Sequence, residues 1–366
     1  MDRCWLVSPY LFVGCYIGYV ILGVVMFSLV EDQFNMYRET FLCIGVGLAF
    51  YVAGCQIVLP DKKRLYFFLT LAILTFYGFQ EYHYVGLAIP VVGFAALQLI
   101  ERLNVKWFLL LGISLLVIQL AIGGIPLVNS ELRKAATTPL FILGYSFVFL
   151  GMAFMAETWD VRAVFMTFAG CIGLLSLFTF RVYVVELVIV VFVTLYALQR
   201  VKLVHVVSFG IPLLFLILFL GYMGVRYQQW KFNPVELFFF RPAFTFGVLN
   251  EIVHKAGYLG ITHGEIWLQF SSATIIGPYL FGYESNITST VMGPLIFDGG
   301  ILELSVMAFL GASANTLYKK AINNDSMVPY YAILLAFFLV GIDVSSIPSI
   351  FLLVVVGLYL VSNPGT

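Results

Sequence analysis

Charge is what this chain of 366 residues has least of: Asp, Glu, Lys and Arg together make up 10% of it, against roughly 25% in a soluble domain. So few charges cannot cover a water-facing surface of this size. A soluble globular fold is therefore excluded, and the bilayer becomes the solvent. Nineteen basic residues balance nineteen acidic ones, so bulk electrostatics point to no nucleic acid and no acidic partner. Cysteine and histidine are also sparse, at five and four. Cys4, Cys15, Cys43, Cys55 and Cys171 all fall in or beside apolar stretches, none belongs to a CxxC, and no histidine sits at metal-ligand spacing. They read as small core hydrophobes, not as a disulfide framework or a metal site. Also missing are a DxD-type carboxylate pair, an internal repeat, a coiled coil, and an A-x-A cleavage site after the opening MDRCWLVSPY. That opening is expected to lead into a first membrane helix and not to form a removed signal peptide.

What is present is apolar: 62% hydrophobic residues and a mean hydropathy of +1.02. A membrane span needs ~20 mostly apolar residues. On that basis the first half is expected to hold helices at Tyr10–Val30, Thr40–Leu59, Leu65–Gln80, Val85–Ile100, Trp107–Ile122 and Pro139–Ala156. The second half adds Ala163–Phe180, Val182–Leu198, Val204–Gly224, Val291–Leu317, Tyr330–Ile342 and Ile347–Val361. The fold class is thus an all-α polytopic membrane protein of about 12 spans. The basic residues Arg3, Lys62, Lys63, Arg64, Arg102, Lys106, Arg162, Arg200, Lys202, Lys319 and Lys320 fall at the N-terminus and in alternate short loops, which places both termini in the cytoplasm. The whole chain, 1–366, reads as one transmembrane domain. Residues 226–290, between the ninth and tenth helices, mix aromatics with charge and read as a partly helical lid on the outer face, with a helix after Pro242 that carries Glu251 and Lys255 at i,i+4.

Ionisable groups within or at the ends of spans are costly and mark functional sites. Arg181 opens a span and Glu186 follows five residues later; Arg241 sits among phenylalanines in FFFRPAF, where a guanidinium fork suits a phosphate. The segment NEIVHKAGYLGITHGE supplies four candidate bases, His254, His263, Glu251 and Glu265, and also carries Tyr258. Asp298-Gly299-Gly300 interrupts an apolar run. Asp298 is therefore either a cavity-lining group or an N-cap at the interface.

Four segments carry a resemblance to a known family. GGIPLVNSELR (Gly123 to Arg133), Arg181 at the head of a span, FFFRPAFTFGVLNEIVHKAGYLGITHGE, and TSTVMGPLIFDGGILELSVMAFLGASANTLYKKA occur in an order that resembles the oligosaccharide repeat-unit polymerases, the O-antigen polymerase (Wzy-type) group related to the O-antigen ligases. The sequence departs from the family at Ile275–Pro278, where IIGP replaces an I-P-R and an external arginine is missing. The resemblance implies a GT-C-like fold and a metal-independent membrane glycosyltransferase, with no cofactor. Its substrates would be polyprenyl-pyrophosphate-linked glycans at the outer face of the cytoplasmic membrane. Membrane lipid and a chain-length regulator would be its partners. It assigns Arg181, Arg241 and Arg133 to the pyrophosphate, His254, Glu251 or His263 to the base, and Asp298, Glu186 and Tyr258 to the cavity lining. A ligase passing the glycan to another acceptor is the near alternative. A lipid-linked oligosaccharide flippase is the alternative from a different class, disfavoured because polar groups gather on one side and no two-half repeat is present.

Overall fold

A computed structural model describes residues 4–30, 36–86, 90, 105–225, 233–269, 273–282, 287–343 and 346–362, and every regular element among them is helical. The α-helices are α1 (Tyr10–Val30), α2 (Arg38–Gly54), α3 (Lys63–Gly86), α4 (Val105–Gly123), α5 (Pro139–Thr158), α6 (Val161–Ser176), α7 (Arg181–Ala197) and α8 (Leu203–Val225). There follow α9 (Pro234–Ala256), the short α10 (Glu265–Leu268), α11 (Ala273–Phe281), α12 (Met292–Glu303), α13 (Val306–Asn323), α14 (Val328–Gly341) and α15 (Ile347–Val361).

Stretches of α1, α4, α5 and α8, 18 to 22 residues long, are apolar enough to cross a bilayer, and α12 with α13 makes a fifth if counted together across a bend of 105°. The chain is thus an all-helical, multi-pass membrane protein. Other apolar helices, among them α6 and α15, are shorter. Most of the expected fourth span, Val85–Ile100, lies outside the described residues.

The span expected at Val291–Leu317 is not one straight helix. Gly300 takes φ 66° and ψ −147°, backbone that a residue with a Cβ rarely adopts, and the chain then turns sharply into α13. A Cβ at Gly300 would stand 2.1 Å from the carbonyl oxygen of Tyr258. The glycine therefore permits the break and admits a neighbouring loop.

Contacts group the chain into two compact units, Met1–Cys4 with Arg102–Phe239 and Asn324–Ala336, and Trp5–Glu101 with Phe240–Asn323 and Phe337–Thr366. Each is held by close backbone approach at small residues, which is how helices associate where lipid removes the hydrophobic drive between them. In the first unit, α4 meets α5 at Gly112, whose Cβ would lie 2.7 Å from the amide nitrogen of Val148. In the second, α2 meets α13 at Gly54 and Gly311, whose Cβ atoms would lie 2.0 Å from the Ala308 carbonyl oxygen and 2.1 Å from that of Tyr51. One end of this pair is tied down by Lys320, whose Nζ reaches Asp61 Oδ2 at 2.9 Å and the Val361 carbonyl at 2.7 Å.

Gly311→Ala forces α2 and α13 apart and lowers stability by about 1–3 kcal/mol, as overpacking does. The measurement is the thermal unfolding midpoint of the detergent-solubilised protein. Gly45→Ala, on α2 with nothing within 4 Å of its Cβ, leaves the midpoint unchanged.

Candidate functional site

In the first unit two guanidinium groups lie on one face of α8. Arg133 belongs to a short 3-10 helix, Ser130–Ala135, started by Asn129, whose Oδ1 accepts from the Glu131 amide at 3.1 Å. The preceding loop is anchored where the Leu127 amide donates to the Leu177 carbonyl at 2.9 Å. Arg133 Nη1 donates to the Gly224 carbonyl at 2.8 Å, and its guanidinium lies over the Phe180 ring at 5.3 Å. Arg181 is the first residue of α7, and the turn before it is strained: Thr179 is buried with φ 61°. A β-branched residue there costs on the order of 1–3 kcal/mol and persists only where its surroundings over-determine it. The Thr179 hydroxyl also makes no hydrogen bond among the described residues.

Gly221 and Gly224, one turn apart on α8, make the space. A Cβ at Gly221 would stand 3.0 Å from Arg181 Nη1, and one at Gly224 would stand 3.2 Å from Arg133 Cζ and from the Thr179 carbonyl oxygen. Residues at i and i+3 are about 5–6 Å apart on a helix surface. Arg181 and Arg133 are therefore neighbours, brought together from two distant sequence segments. Deeper in α7, Glu186 is buried and accepts a hydrogen bond from the Tyr145 hydroxyl of α5. The Tyr145 ring packs on Tyr183 at 4.4 Å.

The third arginine belongs to the second unit, and its helix begins earlier than expected. The sequence points to a start after Pro242, but α9 begins at Pro234 and Pro242 lies inside it. The cause is a capping box: Asn233 Oδ1 accepts from the Glu236 amide at 2.8 Å, and Glu236 Oε2 accepts from the Asn233 amide at 2.9 Å. Arg241 is thus an intrahelical residue. Its Nε donates to both Asp343 oxygens at 3.1 and 3.2 Å, and its Nη2 donates to Thr288 Oγ1 at 2.7 Å. Asp343 Oδ1 also accepts from the Tyr19 hydroxyl at 2.5 Å and Thr245 Oγ1 at 3.0 Å.

The candidate bases lie further along this unit. His254, exposed near the end of α9, stacks flat on Tyr37 with ring centroids 4.1 Å apart and an interplanar angle of 1°. One turn back, the buried Asn250 accepts from Thr40 Oγ1 at 2.9 Å and from the Tyr37 amide at 3.1 Å, which fixes the Tyr37 end of that stack. Glu251 is half-buried, on the same helix.

His263 is exposed and left-handed, φ 49°, in a loop held by Asp298. The fully buried Asp298 carboxylate accepts from Thr262 Oγ1 at 2.5 Å and from the Gly264 amide at 2.8 Å, while its carbonyl accepts from the His263 amide at 3.0 Å. Asp298 therefore lies inside α12 and not at an N-cap. Tyr258 keeps an exposed ring, and its carbonyl accepts from the Ile301 amide at 3.0 Å. Glu303 accepts from the Trp267 indole.

A family model described as "Putative O-antigen polymerase" matches residues 6–354. The chain belongs to that family. A protein of Methanocaldococcus jannaschii, described as uncharacterized, is 28% identical over 353 residues, covering 89% of this chain and 86% of the relative. No solved structure matches. A role of the polymerase and ligase type in the membrane follows from the family.

In this O-antigen polymerase family member, sequence reading alone missed Asp343, Tyr19, Thr245 and Thr288. The one available signal was an acid in GIDVSS, between two apolar runs. Arg226 and Lys231, other bases of the expected lid, lie outside the described residues. Asp298→Ala removes the acceptor that closes the 262–266 loop. Amide exchange at Gly264 and Ile266 should then rise by tenfold or more, the equivalent of about 1–3 kcal/mol for buried donors left unmade. Mass-resolved hydrogen exchange is the check, with the α4–α5 contact as an unchanged internal reference.

Proposed function

We propose that the chain polymerises polyprenyl-pyrophosphate-linked oligosaccharide repeat units on the outer face of the cytoplasmic membrane. On this reading it works as a single transmembrane domain with both termini cytoplasmic and residues 226–290 as an external lid. The observation that carries it is the Arg181–Arg133 pair laid on the Gly221–Gly224 face of α8. Two adjacent guanidinium groups match a diphosphate in charge and in fork geometry.

The reaction transfers a glycan. The bond between the anomeric carbon and the pyrophosphate oxygen breaks, and a new bond forms from that carbon to a hydroxyl oxygen on the non-reducing end of a second lipid-linked unit. The hydroxyl proton passes to a base, and the lipid pyrophosphate leaves with the bonding electrons. Negative charge on the leaving oxygen grows toward the transition state. Arg181 and Arg133 stabilise charge that the ground state lacks, and that difference accelerates the step. Arginine takes the place of a divalent ion here, so the mechanism is metal-independent.

Arg241 is the guanidinium of the second unit that we assign to the same kind of group. His254 is our first choice of base because the Tyr37 stack fixes its ring; Glu251 and His263 are the alternatives. Glu186 in the first unit, and Asp298 and Tyr258 in the second, keep on this reading the lining role that the resemblance implies. The acceptor-side sugars stack on aromatic rings of the lid, and a chain-length regulator acts as a partner.

Arg181→Ala and Arg133→Ala should each reduce chain extension by about 10²-fold, the loss seen when one donor to a developing anion is removed. Gly221→Leu should mimic Arg181→Ala, because the new side chain occupies the guanidinium's place. His254→Ala should slow extension with substrate binding retained. The assay supplies purified lipid-linked repeat units to reconstituted protein and reads glycan length on the carrier. Wild-type lengths in both arginine variants overturn the assignment. Single transfer to another acceptor, with no ladder on the carrier, converts the polymerase into a ligase. Movement of the lipid across the bilayer without transfer makes the protein a flippase.

A further inference from the structure

A guanidinium on a long, flexible side chain stabilises a developing charge only if it is already aimed when the charge appears. Five hydrogen bonds within the second unit supply that aim for Arg241. Its Nε reaches both oxygens of Asp343, and its Nη2 reaches Thr288. Hydrogen bonds from two different nitrogens of a planar group fix its plane as well as its position. The carboxylate is itself held from two helices, by Tyr19 of α1 and by Thr245, one turn beyond Arg241 on α9. The pair is neither sealed away nor open: the Arg241 side chain is 31% exposed and that of Asp343 is 24% exposed.

The edge that Asp343 takes is informative. A carboxylate that serves only to neutralise an arginine pairs best with the fork of two parallel N–H groups, which consumes the edge that phosphate would use. Here the acid engages Nε alone. Nη1 makes no hydrogen bond among the described residues, and Nη2 spends one donor on Thr288. Donors that recognise an anionic oxygen are therefore left available in a group whose orientation is already set.

We infer that Asp343 is a positioning residue, which acts through Arg241 to hold the guanidinium ready for the pyrophosphate-bearing lipid. This rests on the reading above in which Arg241 meets that lipid. Asp343 touches no reacting atom; its effect passes entirely through the arginine.

That last property makes the idea testable by a double-mutant cycle. Chain extension is measured with reconstituted full-length protein for wild type, Arg241→Ala, Asp343→Asn and the double variant. Arg241→Ala should lose about 10²-fold, and Asp343→Asn about tenfold in the wild-type background. The double variant should be no slower than Arg241→Ala alone. An equal tenfold loss in both backgrounds would make Asp343 a merely structural residue and sink the inference, as would no loss in the wild-type background.

Normal extension by Arg241→Ala would instead sink the reading on which the inference rests, so the two failures are distinguishable. If Asp343→Asn does not insert, Asp343→Glu runs the same cycle, keeping the charge but moving it by one methylene. It should lose several-fold beside Arg241 and nothing in its absence. Failure of both variants to insert assigns Asp343 to folding and overturns the proposal.

Discussion

In a chain this apolar, each ionised side chain has to be given partners, because neither water nor lipid will solvate it at depth. The fold applies the rule repeatedly. Arg241 has Asp343 and Thr288, Lys320 has Asp61 and a carbonyl, and Arg200 donates to the carbonyls of Ala156 and Trp159. Buried acids are treated likewise: Glu186 takes the Tyr145 hydroxyl, and Asp298 takes a threonine and loop amides. Most of these are long-range contacts, so satisfying charge and closing the fold are the same act. The Arg181–Arg133 pair brings two guanidinium groups together. It sets two like charges side by side, and glycines make the room for them.

Glycine does a second job here. Where lipid surrounds helices, close approach replaces hydrophobic burial as the source of association, and backbone meets backbone at Gly54, Gly112 and Gly311. At Gly221 and Gly224 the same lack of a side chain admits a guanidinium instead of another helix. One residue type therefore serves helix packing at some positions and seats guanidinium groups at others, and only the neighbouring atoms tell the two apart.

Much of this was legible in the sequence. The bounds expected at Tyr10–Val30 are those of α1, and Val204–Gly224 lies within one residue of α8 at either end, since long apolar runs with a single solvent leave little choice. Arg181 at the head of a helix was equally plain. The start of α9 was not, because Pro242 and three phenylalanines looked like a boundary while the true signal was the modest Asn-Pro-Val-Glu box that begins at Asn233. Asp343 escaped for a different reason. Its partner Tyr19 is 324 residues away, and no local pattern encodes a contact of that range. The expected count of about twelve spans rests on hydropathy alone. Four described helices meet the length and apolarity that crossing requires, or five with the bent pair.

The bent pair bears on how the protein is made. α12 has 12 residues, so at ~1.5 Å per residue it extends about 18 Å, well short of a hydrocarbon core of ~30 Å. It cannot be handed to the bilayer as an independent stop during synthesis. The backbone groups around Gly300 would have no partners in lipid until the Tyr258–Gly264 loop covers them. Entry of this stretch into the membrane therefore depends on the Tyr258–Gly264 loop, which precedes it in the chain, being in place to cover those groups.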